Sequence, residues 1–161
     1  MKSVLLSFIY ILISISISGG VEYDPFKFTF YTKKIKGKTF EEVSAELEEK
    51  LNEVNLPVLD RWDIQLHRED FEEVKGIIRY RVILACNIRD RDELITRTPV
   101  ISNLIPCTIN IYETEKGEIY ISILNEKLFL VRYKKHMLPK DIKRVKAVYM
   151  RIRCVIREVA L

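Results

Sequence analysis

The chain has 161 residues, and its 27 Lys and Arg against 23 Asp and Glu leave a formal net charge of +4. Nucleic-acid binding needs clustered positive charge, and this small excess is too weak to argue for it. The length indicates a single domain, because roughly 140 residues follow the apolar N-terminus, which is the commonest domain size and is enough for a hydrophobic core.

The N-terminus has the layout of a secretory signal peptide. The positive charge of Lys2 precedes an apolar run over residues 4–18, and two glycines follow. A helix of about 15 residues extends roughly 22 Å, which is short of the hydrocarbon core of about 30 Å. We therefore expect residues 1–18 to be a signal peptide and residues 19–161 to form one domain in the periplasm or in the secreted state. The alternative is an uncleaved N-terminal membrane anchor.

A strand and then a helix follow the leader. Phe26, Phe28 and Phe30 alternate with polar residues, which predicts a strand with one buried face. Thr39 and Glu42 have the spacing of a capping box, so a helix is expected to begin there. Pro57 is expected to end it. Its apolar stripe has helical spacing: Phe40, Val43, Leu47, Leu51 and Val54.

The middle of the chain predicts two more strands and a short helix. Alternation over residues 62–67 indicates a second strand, and residues 77–87 indicate a third that is apolar on both faces. Asp90 and Asp92 offer N-caps for a short helix, which the Thr98–Pro99 pair interrupts.

Two strands and a long helix complete the chain. Residues 107–114 and 118–124 predict strands joined by a turn at Lys116 and Gly117. The last helix is expected to begin near Pro139. Its apolar stripe consists of Ile142, Val145, Tyr149, Ile152, Ile156 and Val159.

This order predicts an α+β fold, a two-layer β-α-β4-α sandwich with a short helical insert between strands 3 and 4. The helices would lie on one face of an antiparallel-rich sheet. The third and fifth strands carry apolar residues on both faces, such as Ile121 beside Tyr120. Because an open apolar face usually has a partner, we expect either a homodimer through that face or its coverage by the short helix and the loops.

The sequence resembles the Domain of Unknown Function 302 family. The resemblance rests on Tyr-Arg-Val-Ile-Leu-Ala-Cys-Asn at residues 80–87, on Leu-Ile-Pro-Cys followed by a strand ending in Tyr-Glu at 104–113, and on the glycine turn at 116–117. It covers roughly residues 28–130. The resemblance implies a β-α-β4-α fold similar to half of the TATA-binding protein, but no settled biochemistry and no nucleic-acid binding. Ile88 stands where the family usually has proline.

Four residues are candidates for a binding site: His67, Cys86, Asn87 and Cys107. Cys86 closes the third strand and Cys107 opens the fourth, so the two lie at one end of the sheet if these strands are antiparallel neighbours. They would be two buried thiols, a disulfide worth about 3 kcal/mol, or a reactive pair. Asn87 would cap the next turn or bind a ligand.

No complete catalytic or cofactor motif is present. The chain has no G-x-S-x-G motif, no glycine-rich phosphate loop, and no second histidine at metal-binding spacing from His67 or His136. We therefore expect no metal and no cofactor, and the sequence leaves open whether the protein is an enzyme.

Two functions remain as hypotheses. The first is a non-enzymatic module that binds a small ligand or a partner protein outside the cytoplasm. The alternative is an accessory enzyme or carrier in extracytoplasmic thiol or sulfur redox chemistry, using Cys107 with Cys86 or His67. The last helix is basic over residues 134–157, which suits a solvated face or contact with an acidic partner or a membrane surface.

Overall fold

A computed structural model describes residues 29–64 and 77–161 of the chain. Two short 3-10 helices, Pro99–Asn103 and Lys134–His136, connect the main elements. In chain order, the main elements are β1 (Phe30–Ile35), α1 (Phe40–Glu53), β2 (Val58–Ile64), β3 (Ile77–Ala85), α2 (Ile88–Arg97), β4 (Cys107–Thr114), β5 (Ile119–Leu124), α3 (Glu126–Tyr133) and α4 (Pro139–Val159).

The five described strands form one antiparallel sheet in the order β1-β5-β4-β3-β2. The predicted α+β class is confirmed, as is the predicted order of strands and long helices. The short helix α3 between β5 and α4 was not expected. Its apolar residues are consecutive, and such a run has no helical period for sequence analysis to detect.

The β1 strand differs from its prediction in position and in orientation. It begins at Phe30, and Phe26 and Phe28 lie outside the described residues. Phe30 does not belong to a buried face, since its side chain is 38% exposed. The buried position of this strand is Ile35, and Tyr31 also packs against the core.

Two other predicted boundaries move. The second strand is Val58–Ile64, and the remainder of the predicted segment 62–67 lies outside the described residues. The third strand ends at Ala85, one residue before Cys86. The expectation that Asp90 or Asp92 caps α2 is wrong, because both lie inside a helix whose N-cap is Asn87.

The ends of α1 are set by local hydrogen bonds. The predicted capping box is present: the Thr39 amide donates to Glu42 Oε2 at 2.7 Å, and the Glu42 amide donates to Thr39 Oγ1 at 3.3 Å. At the other end Asn55 has a φ of 58°, in the left-handed region that asparagine tolerates. The helix therefore stops before Pro57, and the Leu56 amide returns to the Leu51 carbonyl at 2.9 Å.

The core lies between the helices and one face of the sheet. The alternation of β3, β4 and β5 places every second residue in this layer, and α1 and α4 supply the facing apolar stripes. The fully or almost fully buried sheet residues are Ile83, Ala85, Cys107, Ile109, Ile111, Ile121 and Ile123. The predicted stripe of α4 is buried from Val145 to Val159. Across residues 29–64 and 77–161, no helix is long and apolar enough to cross a membrane.

A charged side chain, Arg81, lies buried in the helix-facing layer of the sheet. Arg81 of β3 is buried and binds Asp63 of β2 through two bonds, from Nε at 2.5 Å and from Nη2 at 3.0 Å. Its Nη1 donates to Glu41 of α1 at 2.8 Å, and its guanidinium lies 5.2 Å from the centre of the Phe40 ring. These contacts lower the pKa values of the Asp63 and Glu41 carboxyls. Arg81 therefore ties the start of α1 to two strands.

We expect Arg81→Ala to lower the free energy of unfolding by about 1–3 kcal/mol, because a buried guanidinium with three charged hydrogen bonds is lost. Both carboxylate partners are exposed and become hydrated, which keeps the cost below that of a fully buried ion pair. Urea unfolding measures the change. Arg79→Ala is the matched control: Arg79 also pairs with Glu41 but is exposed, so its loss should cost less than about 1 kcal/mol. Equal losses for both variants would contradict the anchoring role of Arg81.

Candidate functional site

The structure brings Cys86 and Cys107 to the same end of the sheet. Ala85 is the register partner of Cys107, and Cys86 follows it directly. The Cys86 amide donates to the Pro57 carbonyl at 3.1 Å, and its Sγ donates to the Asn87 carbonyl at 3.3 Å. Both cysteines are free thiols, and neither is more than 1% exposed. Of the three arrangements expected from the sequence, the structure has the buried pair.

The surroundings of these thiols keep them protonated. Burial raises the pKa of Cys86 from its ordinary value of 9.0 to about 11. Burial, with a contribution from the neighbouring Cys86, raises the pKa of Cys107 as well. The Tyr149 hydroxyl is close to Cys107, donates to the Leu104 carbonyl at 3.1 Å, and has a pKa raised by its own burial. Because the thiolate is the nucleophile and the metal ligand, this cluster is poorly suited to either role.

Asn87 performs the structural role that its position allowed. Its Oδ1 accepts from the Asp90 amide at 3.1 Å and so caps α2. Its Nδ2 donates to Asn55 Oδ1 at 3.2 Å, which joins this cap to the end of α1. Ile88, at the position where the family usually has proline, is the first residue of α2 and is exposed. Both polar ends of the Asn87 side chain are therefore engaged.

The fourth candidate, His67, lies outside the described residues. In the part of the chain that the structure describes, no group of three or more His, Cys, Asp or Glu side chains could hold a metal ion. The other histidine, His136, is exposed in a 3-10 helix beside the buried Met137.

The second face of the sheet carries a row of tyrosines across three strands. Tyr80, Tyr112 and Tyr120 are register partners on β3, β4 and β5. Their rings stack, with centroids 6.4 Å apart for the first pair and 5.2 Å for the second. Tyr120 donates to Glu118 at 3.0 Å, and Glu118 pairs with Lys34 of β1. Alternation along single strands does not predict this row, because it shows Tyr120 only as one apolar residue of the fifth strand.

Apolar side chains flank the tyrosine row, and we call the whole surface the open face. On β2, Trp62 and Ile64 are 48% and 42% exposed, although both are large and apolar. They are register partners of Val82 and Tyr80, which places them on the same side of the sheet as the tyrosines. The other edge strand adds the exposed Phe30. Between these flanks lie small polar side chains, among them Thr32 and Ser122, whose hydroxyls are 3.0 Å apart.

All four described helices pack on the other side of the sheet. Arg97 of α2 donates to Asp141 of α4 at 2.7 Å, and Arg144 of α4 donates to Glu93 of α2 at 2.7 Å, so the short helix joins the helical layer. The expectation that this helix covers the second face is therefore wrong. Within residues 29–64 and 77–161, the open face has no helix across it.

Comparison with known proteins gives the chain its family. A sequence model described as "Domain of unknown function DUF302" matches residues 31–159. An uncharacterized protein from Aquifex aeolicus (strain VF5) is 26% identical over 110 residues, which are 68% of this chain and 69% of that protein.

A solved structure shares the fold. The crystal structure of an uncharacterized conserved protein DUF302 from Bacillus stearothermophilus superposes with a TM-score of 0.66 at 14% identity, covering 83% of this chain and 98% of that chain. The resemblance predicted from residues 80–87 and 104–113 is confirmed, and the match extends beyond the predicted limit of residue 130 through α4. The chain therefore belongs to the DUF302 family.

Proposed function

We propose that this protein is an exported, non-enzymatic binding module, and that its first partner is a second copy of itself held on the open face. The tyrosine row with its exposed apolar flank is the observation that carries the proposal. The leader pattern of residues 1–18 supports export to the periplasm or beyond.

The chemistry of the open face suits self-association. Exposed apolar side chains such as Trp62 gain roughly 25 cal/mol per Å² when they leave water, and contiguous patches of this kind mark interaction sites. A two-fold axis through the sheet would place each copy's tyrosine row against the same face of the other copy. Two sheets packed face to face also keep a regular distance of about 10 Å, which aromatic side chains fill.

Thiol or sulfur redox chemistry has less support. A reactive cysteine needs a partly exposed site that favours its thiolate. Cys107 has only 1% exposure and Cys86 has none, and burial raises the pKa of both. Cys86 and Cys107 fit better as small apolar residues of the core.

The dimer is testable through the β2 flank of the open face. We expect the full chain to sediment as a dimer and the double variant Trp62→Lys, Ile64→Lys to dissociate at least about tenfold more readily, since two charges would enter an apolar contact. Analytical ultracentrifugation over a concentration series measures the dissociation constant. Ile88→Lys is the matched control, because Ile88 is equally exposed but lies on α2. A monomer at every concentration would contradict the proposed dimer, and so would an equal rise of the dissociation constant in Ile88→Lys.

The buried thiols give a second prediction. In the native protein near neutral pH, we expect Cys86 and Cys107 to resist a thiol-specific reagent and to react only after unfolding, because both are buried and protonated. Titration of native protein, followed by titration in denaturant, counts the protected thiols. Cys154→Ser removes the one partly exposed cysteine and simplifies the measurement. Rapid native modification of Cys107 in that variant would instead favour the redox alternative.

The raised pKa of Cys86 predicts a loss of stability in alkaline solution. The pKa of Cys86 rises from 9.0 to about 11 on folding, so the folded state favours the protonated thiol. The contribution of the protonated Cys86 thiol to the stability of the fold is complete below about pH 9 and is lost as the pH rises through about 11. We expect the free energy of unfolding of the wild-type protein to fall more steeply over this window than that of Cys86→Ala. Cys154→Ala should follow the wild type; if Cys86→Ala does so too, the raised pKa is refuted.

A further inference from the structure

A groove of about 520 Å³ runs between α3 and α4. It is on the helical side of the fold, away from the open face. Each helix contributes residues at helical spacing, so each presents one continuous stripe to the groove. The stripe of α3, extended by the first residue after it, is Lys127, Leu130, Val131 and Lys134, and that of α4 is Ile142, Lys146, Met150 and Arg153.

The inner part of both stripes is apolar. Leu130 is buried at the base of the groove, and Ile142 packs against the core. Val131 and Met150 are 72% and 61% exposed, although both side chains are apolar. The groove therefore has an apolar lining that remains available to a ligand.

The outer part of the groove is positively charged. Lys127, Lys134 and Lys146 have no carboxylate partner among residues 29–64 and 77–161. The lining includes one acid, Glu126, and that acid is already buried against Arg153. Counting only the residues that the structure describes, three lysines thus surround the apolar part of the groove without an ion-pair partner.

Arg153 is a fixed cation in the lining of the groove. Besides its pairing with Glu126, it donates to Asn125 Oδ1 at 3.2 Å and lies 5.4 Å from the centre of the Tyr31 ring. Its Nε is buried and has no hydrogen-bond partner among the described residues. The Arg153 side chain therefore has more donor capacity than its described neighbours satisfy.

We propose that the groove binds an amphiphilic carboxylate, a small molecule with an apolar chain and one anionic head. The chain would lie along Leu130, Val131 and Met150, and the head would be held by the lysines at the rim. The volume of the groove falls in the range of about 300–1,000 Å³ that is usual for small-ligand sites. This inference deepens the binding role proposed above, but it uses a different surface from the dimer, so either proposal can fail alone.

Calorimetry with the full chain and monomeric dodecanoate tests the proposal. We expect dodecanoate to bind, and dodecanol, which has the same chain without the charge, to bind about tenfold more weakly because charge-assisted hydrogen bonds are lost. Butanoate, which has the charge but little of the chain, should bind more weakly still. Equal binding of dodecanoate and dodecanol would overturn the role of the lysines, and no binding of dodecanoate would overturn the site.

Matched variants locate the site. We expect Lys146→Gln to weaken dodecanoate binding about threefold or more and Val131→Glu to weaken it at least about tenfold, since the second places a negative charge beside the ligand. The controls are Lys143→Gln and Leu128→Glu, which change exposed residues of the same helices outside the groove. Losses of equal size in the control variants would overturn the assignment to the groove.

Two further outcomes would replace the small molecule by another occupant. Binding to phosphatidylglycerol vesicles, with no affinity for monomeric dodecanoate, would assign the basic groove to a membrane surface. Dissociation of the dimer by Val131→Glu, with the open-face variant still dimeric, would assign it to a second copy of the chain. Unchanged sedimentation of Val131→Glu together with lost dodecanoate binding supports the proposal.

Discussion

The whole arrangement depends on a sheet that has helices on one side only. Each strand alternates its side chains between two environments, and the described helices all pack against the same one. That side holds the isoleucines of β4 and β5 and the stripes of α1 and α4. The other side, with the same strands and the same alternation, holds the stacked tyrosines. The unequal coverage of the two faces separates the core of the protein from a face that no described helix covers.

The same constraint explains why the thiols of Cys86 and Cys107 are expected to be unreactive. Cys107 occupies a helix-facing position of β4, directly under α4, where Tyr149 closes over it. Burial raises the pKa of Cys107 and excludes a reagent, and Cys86 is likewise closed to solvent with a raised pKa. A thiol that serves the core by filling space cannot also present a thiolate to a substrate without moving. The end of the sheet where the sequence indicated a reactive cysteine pair is therefore an apolar part of the core.

Local patterns in the sequence were enough to predict much of the fold. The capping box of Thr39, the stripe of α4 and the start of α4 at Pro139 each depend on residues a few positions apart. The choice of cap for α2 was harder, because Asn87, Asp90 and Asp92 are all good cap residues and only the end of β3 selects among them.

Features that depend on distant residues could not be predicted in the same way. Alternation shows that a strand has two faces, but it does not show which face a helix covers, and so Phe30 was placed on the wrong one. The anchor at Arg81 requires Glu41, which is 40 positions away in the chain. The tyrosine row exists only once three strands are in register, and the groove only once α3 is known to be a helix.

The borders of the sheet have a consequence for assembly. β1 carries Lys33 and Lys34 in its centre, and β2 has an irregular register between Val58 and Asp60. Charges and bulges at a border hinder the docking of a further strand, which is how proteins avoid endless edge-to-edge polymers. An exposed apolar sheet face on a protein with unprotected edge strands would favour the growth of fibrils. With both edge strands protected in this way, association through the open face, as proposed above, would end at two molecules, because the described helices occupy the opposite side of the sheet.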